Sequence, residues 1–355
     1  MFHGGISLGK IEEEIKNGIL KNKQLRFGGV SPTVLRELSG VYQPFVKAVK
    51  EIVSNSYDAD ASKVNLTFNP DYSSLMISDN GIGMNPIEFI HQYIRIGKSY
   101  IEKTNHTPKY NRPRIGGKGI GFLAPARYCE KLEIVTKKGG ISENYFKISN
   151  NSEQKLDLKP LFLQGHYEEK VLDHIKIVKI TDGLNNVIEK YKLDDYVLSF
   201  QEIYENINIW YIFDSRKIEL KAIIDFNLLF SLDSSKSLED IDNFCDFSVR
   251  DIPEYEVGNS YTKVTLIDIK DFTKSELFQT GKKGARNIES SSGINQFLWN
   301  LSRIIPVKAN IQDNLPSQIK EFINKEIDQM AGSEKFGVFC TFEGNVDYPL
   351  NRFIL

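Results

Sequence analysis

The sequence predicts an α/β protein, and three observations carry that prediction. Residues 44–58 place Phe45, Ala48, Val49, Ile52 and Val53 on one side at helical spacing. Val64–Phe68 and Ser74–Ser78 alternate as strands about an Asn69-Pro70-Asp71 turn, and Thr262–Ile269 alternates in the same way. Between them Lys98–Gly121 is polar, basic and glycine-rich, and its middle, Thr104–Arg114, has neither helical nor strand period. A stretch of that length inside a compact domain is usually a functional lid or disordered.

The remaining elements follow in order. Residues 8–24 form a charged helix ended by Gly28-Gly29. A helix resumes near Phe122 and gives way to a strand over Leu132–Thr136. From Glu143 to Val257 the pattern is mixed: strands at Ile175–Ile180 and Ala222–Phe226, helix around Asp194–Ile207, and a polar loop from Ser231 to Asp242. Ile294–Ile305 and Ile319–Met330 have the apolar spacing of helices. From Phe336 a strand enters a Gly-Asn hairpin, read as the opening of a further domain.

Composition narrows the functional classes. With 355 residues, 41% hydrophobic and 26% charged, the chain is neither disordered, collagen-like nor of low complexity. Forty-five basic against 47 acidic residues leave a net charge of −2, so the molecule as a whole is no electrostatic glove for nucleic acid. Apolar runs end well before the roughly 18 residues of a membrane span. Met1-Phe2-His3-Gly4-Gly5 lacks the basic start of a signal peptide. Cys129, Cys245 and Cys340 are widely spaced, which argues against a disulfide framework or a zinc site. The expected setting is the cytoplasm.

Three motifs carry chemistry. In the first, Glu51, Asn55 and Asp58 project from one face of the helix, bordered by Ile52, Val53 and Ala59. A polar stripe so placed either lines a pocket or simply faces water. The second is Asp79-Asn-Gly81-Ile-Gly83-Met84 at a strand end, where a carboxylate can accept from a ligand and glycines allow close backbone approach. An ordinary turn would look the same. The third is Ile115-Gly-Gly117-Lys118-Gly119-Ile120-Gly121-Phe122, whose successive amides entering a helix would cradle an anion. It has neither Walker A nor dinucleotide-binding spacing, and the bland reading is a flexible hinge.

Their order, E-x-x-x-N-x-x-D-A, then D-x-G-x-G-M, then a basic loop, then G-x-G-x-G, resembles the GHKL ATPase superfamily. That superfamily takes in gyrase B subunits, large heat-shock chaperones, MutL and MORC proteins and sensor histidine kinases. The clear resemblance covers Pro44–Lys137, and a looser one reaches Ile269. Ile96-Gly-Lys98-Ser99 and Gly117-Lys-Gly-Ile-Gly-Phe look most like bacterial heat-shock-chaperone-like and MORC-like members.

The resemblance implies the Bergerat fold: a two-layer α/β sandwich with a mixed sheet, helices on one face, and ATP among the helices. It implies Glu51 as general base, Asn55 as Mg²⁺ ligand, Asp79 as acceptor of the adenine amino group and Gly83 as the point of approach to the base. Asp58 would steady the helix or a pocket water. Gly117, Lys118, Gly119, Ile120 and Gly121 would hold the phosphates. Gly81, Met84, Phe122 and Thr262 complete the nucleotide-binding set, although Tyr261 replaces the usual glycine before Thr262.

By the same resemblance residues 1–30 are either an exchanged arm or a disordered leader, and 31–310 are the ATP-binding domain with a lid over 98–121. Residues 311–355 are then a linker helix and the start of a transducer. The lid's Lys98, Lys103, Lys109, Arg112, Arg114 and Lys118 face only Glu102, so it is expected to be mobile until Mg-ATP offsets their repulsion. Phe278-Gln-Thr-Gly-Lys282-Lys283 is superficially like the gyrase lysine loop, but it follows the Thr262 strand too closely for a separate domain and is read as a solvated loop.

The expected function is an ATPase switch that dimerises on ATP, with a DNA or protein client and no membrane. Two alternatives stand beside it. One is a histidine-kinase-like phosphotransferase, although His3, His91, His106, His166 and His174 lie in no coiled-coil context. The other is an ATP-binding module without turnover.

Overall fold

The computed structural model describes residues 32–94, 105–116, 121–149, 155–162, 170–188, 196–200, 204–231, 243–253, 259–280, 292–305, 309–311, 336–342, 345–350 and 352–354. The chain divides into two compact units. One comprises residues 33–139, 216–231 and 244–355; the other comprises 140–215 with 1–32 and 232–243.

In the first unit α1 (Pro32–Gly40) precedes α2 (Phe45–Asp58). Extended Pro44 stands at the start of α2, where the amide that proline lacks would have had no helical partner. The strands are β1 (Lys63–Phe68), β2 (Ser74–Asp79), β3 (Cys129–Lys137), β4 (Ile218–Asp225), β5 (Cys245–Asp251), β6 (Tyr261–Ile269), β7 (Gly337–Phe342) and β8 (Asn345–Pro349). They form one sheet in the order β5-β4-β3-β6-β2-β1-β7-β8. Every neighbouring pair is antiparallel except β1 and β7, which run parallel, so the sheet is mixed.

Burial alternates along the strands, as one-sided packing requires. Val64, Leu66, Ile77, Ile134, Leu220, Ala222, Val264 and Leu266 are all buried. Further helices of this unit include α3 (Asp271–Leu277) and α4 (Gly293–Ile304). Phe297 of α4 stacks on Phe45 at 5.4 Å and meets Phe68 edge-on at 5.8 Å, which joins both helices to the sheet's apolar side. Lys63, Asn65, Ser78, Lys221 and Lys263 lie on the opposite, polar side, where Lys221 pairs with Glu133 at 2.7 Å.

Two expectations are corrected in this unit. The helix read from Phe122 is a 3₁₀ helix, Gly121–Arg127, seven residues long with Pro125 inside it. Proline's missing N–H disfavours a regular helix there. The hairpin read as opening a further domain belongs instead to this sheet, since Gly337–Phe342 pairs with Lys63–Thr67 in register. Its inward side chains, Val338, Cys340 and Phe342, are buried with Phe336 and extend the same apolar face. Residues 8–24 and 319–330, both read as helices, lie outside the described residues.

The other unit contains a three-stranded antiparallel sheet in the order Ile141–Ser149, Asn206–Asp214, Ile175–Asp182. Lys155–Asp157 pairs separately with Val197–Ser199. Phe146, Phe162 and Tyr211 form an aromatic core with ring centroids 5.0–5.2 Å apart. The helix expected around Asp194–Ile207 is replaced at 197–199 and from 206 by strand. Ile207, Ile209, Tyr211 and Phe213 bury alternate positions, a period of two that outweighs the helical reading.

Candidate functional site

Helix α2 presents its polar stripe where the expectation placed it. Glu51, Asn55 and Asp58 are partly exposed, while Ile52, Val53, Ser54, Ser56 and Tyr57 are buried. Lys50 Nζ donates to Glu51 Oε1 at 3.0 Å. Nearby, the Tyr42 phenol is pushed up to about 12, first by burial and then by the Glu51 charge.

Asp79 ends β2 in a buried cage. Its Oδ2 accepts from Ser56 Oγ at 2.7 Å and its Oδ1 from the Gly81 amide at 2.8 Å. Burial raises its pKa to about 6, against the opposing pull of hydrogen bonds from Ser56, Gly81 and the Thr262 backbone. The Tyr93 phenol is also raised, by burial and then by the Asp79 charge. Thr262 stands across from Asp79 in the ladder, and its hydroxyl lies 3.1 Å from that of Thr136. Thr136 Oγ1 also accepts from the Met84 amide at 3.0 Å. These contacts tie the ends of α2, β2, β3 and β6 together.

Gly83 has a structural reason to be glycine. Its φ is +65°, and a side-chain carbon there would lie 2.0 Å from the Lys137 carbonyl oxygen. Gly83→Ala is therefore expected to lose about 1–3 kcal/mol from the left-handed backbone alone, and more from the clash. Urea denaturation measures this; an unchanged midpoint would refute it.

The loop over 105–116 is better fixed than its basic composition suggested. Asp58 accepts from the amides of Ile115 at 2.9 Å and Gly116 at 2.7 Å. Burial raises the Asp58 pKa, and those two amides oppose the shift. Asp60, itself buried, accepts from the amides of Lys109 and Tyr110 at 2.7 and 3.2 Å. Arg112 is fully buried rather than repelled into solvent. The expectation of mutually repelling cations is thus corrected for 105–116: this part of the loop is docked on the end of α2. Residues 98–104 lie outside the described residues.

Of the glycine-rich motif, Gly117, Lys118, Gly119 and Ile120 also lie outside the described residues, but its two ends are informative. A side-chain carbon on Gly116 would come 2.8 Å from Asp58 Oδ2, and one on Gly121 would come 3.1 Å from Asn55 Nδ2. Gly116 and Gly121 therefore both lie at the polar stripe of α2. Motifs far apart in sequence meet at one helix. Phe122, just beyond, is buried.

A separate cavity of about 520 Å³ shares Asp79 but otherwise draws on the polar side of the sheet, with Lys63, Asn65, Lys263, Glu219 and Arg250 in its lining. The motifs do not converge there, so the chemistry is sought on the α2 side.

The family described as histidine kinase-, DNA gyrase B- and HSP90-like ATPases matches residues 42–173. Over that stretch the chain is similar to the GHKL ATPases. Relatives include the chaperone protein HtpG of Aliarcobacter butzleri, 27% identical over 158 residues, covering 41% of this chain and 24% of the relative. HtpG of a Sulfurovum species is 23% identical over 174 residues, covering 43% and 27% respectively. A protein of Herpetosiphon aurantiacus assigned as the type II restriction enzyme HgiDII is 32% identical over 116 residues, covering 32% and 18%. The matched stretch thus spans about a quarter or less of each relative's length.

Around Asn55 the donor set suits a phosphate-bound magnesium ion. Among the described residues no three His, Cys, Asp or Glu side chains gather to hold a metal. A magnesium ion held mainly by phosphates and water needs only one or two protein ligands. The Asn55 amide lies between glycines that leave room beside it.

Ser56, Asp60 and Thr136 were missed in the sequence, and Arg112 was read there only as one of the lid's repelling cations. Ser56 had a visible signal, being a polar residue on the inward side of an amphipathic helix. Arg112 had none.

The Asp79 cage sets a pH dependence. If adenine donates to ionised Asp79, ATP affinity falls as pH drops below about 6, approaching tenfold per unit. Stability responds in the opposite sense. The folded pKa lies above the ordinary 3.8, so the folded chain keeps a proton that the unfolded chain has released between the two values. The stability contributed by this group is full below about 3.8 and is lost as pH rises through about 6. Calorimetric titration of ATP from pH 5 to 8 tests the binding half; flat affinity would reject it.

Proposed function

We propose that this chain is a Mg²⁺-dependent ATP-binding and ATP-hydrolysing switch that dimerises when ATP is bound, working in the cytoplasm. The observation that carries the reading is the position of Gly116 and Gly121 against Asp58 and Asn55, on the same helix that bonds to Asp79 through Ser56. Adenine would be held at Asp79, beside Thr262, Gly81, Gly83 and Met84. The phosphates would be held by Gly117–Gly121 with Lys118. Asn55 would ligate magnesium, which when bound offsets the phosphate charge. Glu51 would orient the attacking water as general base.

Release of phosphate from ATP by the purified chain, with and without EDTA, tests the reading. Magnesium-dependent release at a rate that survives repurification supports it; binding without release supports the alternative of a module without turnover. The Lys50–Glu51 contact bears on that alternative, since it engages one of the two carboxylate oxygens. Light scattering with and without a non-hydrolysable ATP analogue tests dimerisation. The names of the relatives make a protein client and DNA the two partners to test, by co-purification and by gel shift.

A further inference from the structure

Resting on the ATP-binding reading, we propose that Arg112 is a positioning residue for the phosphate end of the nucleotide. It fastens loop 105–116 to the end of α2, and this holds Gly116 against Asp58 and Asn55.

Arg112 has no exposed surface. Its Nη1 donates to the Ala61 carbonyl at 2.7 Å. Its guanidinium lies 4.5 Å from the ring centroid of Tyr110, 4.9 Å from Tyr57 and 5.4 Å from Phe336. Those rings come from the loop itself, from α2 and from the residue preceding β7. Backbone bonds close the loop around the arginine: Thr107 N donates to Arg112 O at 2.8 Å, and Arg112 N to Thr107 Oγ1 at 3.0 Å. The Asp60 carboxylate, on the Lys109 and Tyr110 amides, forms the second arm of the clamp.

A buried cation is a costly way to fill space. An apolar side chain would dock the loop without fixing its register. A planar guanidinium faced by rings, with a directed donor to Ala61, fixes both position and rotation. From there the chain runs only four residues to Gly116, whose amide lies on Asp58.

The adenine end has no such dependence. Asp79 is held by Ser56, Gly81 and Thr262, and none of these bonds uses an atom of 105–116. A defect in the clamp should therefore separate phosphate binding from adenine binding. A general loss of fold could not do that.

The test is calorimetric titration of Arg112→Met, Arg112→Lys and Asp60→Asn with two probes, adenosine and the ATP analogue AMP-PNP. For Arg112→Met, AMP-PNP affinity should fall about tenfold or more, the loss of one hydrogen bond to a charged group. Adenosine affinity should stay within about twofold, as for an independent site. Arg112→Lys keeps the charge but not the plane and should fall between. Asp60→Asn should repeat the pattern, and it carries the test if Arg112→Met does not fold. Parallel losses for adenosine and AMP-PNP, or no loss for either, overturn the assignment of Arg112 while the ATP reading stands. A wild-type chain that binds neither probe overturns the ATP reading and this assignment with it.

Discussion

Asp79→Asn is expected to weaken ATP binding by about 10- to 100-fold without unfolding the chain, the range of a lost hydrogen bond in a closed pocket. The native carboxylate accepts on both oxygens, from Gly81 N–H on one and from Ser56 Oγ–H on the other. An amide keeps the shape but turns one acceptor into a donor. A backbone N–H cannot reverse, whereas the Ser56 hydroxyl can, so the amide nitrogen is driven to the Ser56 side. The remaining oxygen is neutral and already occupied, which leaves a poorer acceptor for adenine. Asparagine does not titrate, so the variant should also lose the change in affinity centred near pH 6 that the buried carboxylate confers. Calorimetry at pH 5 and pH 7.5, with circular dichroism as the folding control, reads both effects. Unchanged affinity, or a pH profile that survives the substitution, would remove Asp79 from the adenine site.

The fold was legible wherever a local period decided it. Helix 44–58 and the strands at 64–68, 74–78 and 262–269 match Phe45–Asp58, Lys63–Phe68, Ser74–Asp79 and Tyr261–Ile269 to within a residue, because each buries one face over several positions. The reading failed where strands are short or the partner is distant. Val197–Ser199 has three residues, too few for any period to show. The β7 strand was recognised as a strand, but its parallel pairing with β1 joins residues more than 270 apart in sequence, which no local pattern records. In the site, Glu51, Asn55 and Asp58 could be read from helical spacing, and Gly83 from its turn. The clamp could not. Ala61 and Arg112 are 51 residues apart and Asp60 and Tyr110 are 50 apart, so the bonds that dock the loop left only an unpatterned basic stretch.

Glu51→Ala should separate binding from turnover. Glu51 lies one helical turn before Asn55, so a water on its carboxylate can reach the phosphate end without touching the Asp79 cage. Removing a general base typically costs ~10²–10⁴ in rate. ATP affinity should change little, since none of the contacts of Asp79 involves Glu51. The substitution also frees Lys50 from its ion pair, a partly exposed contact worth only ~0–1 kcal/mol, so stability should hardly move. A free Lys50 ammonium, whose charge already acts on Asp58, would then attract phosphate, making binding slightly tighter rather than weaker. Because the variant binds without releasing, it should accumulate the ATP state, and any dimer that ATP promotes should persist in it for hours instead of decaying with turnover. Single-turnover phosphate release, equilibrium binding and light scattering on the same preparation separate these effects. Turnover that survives the substitution would remove Glu51 as the base, and affinity that falls together with turnover would make it a binding residue instead.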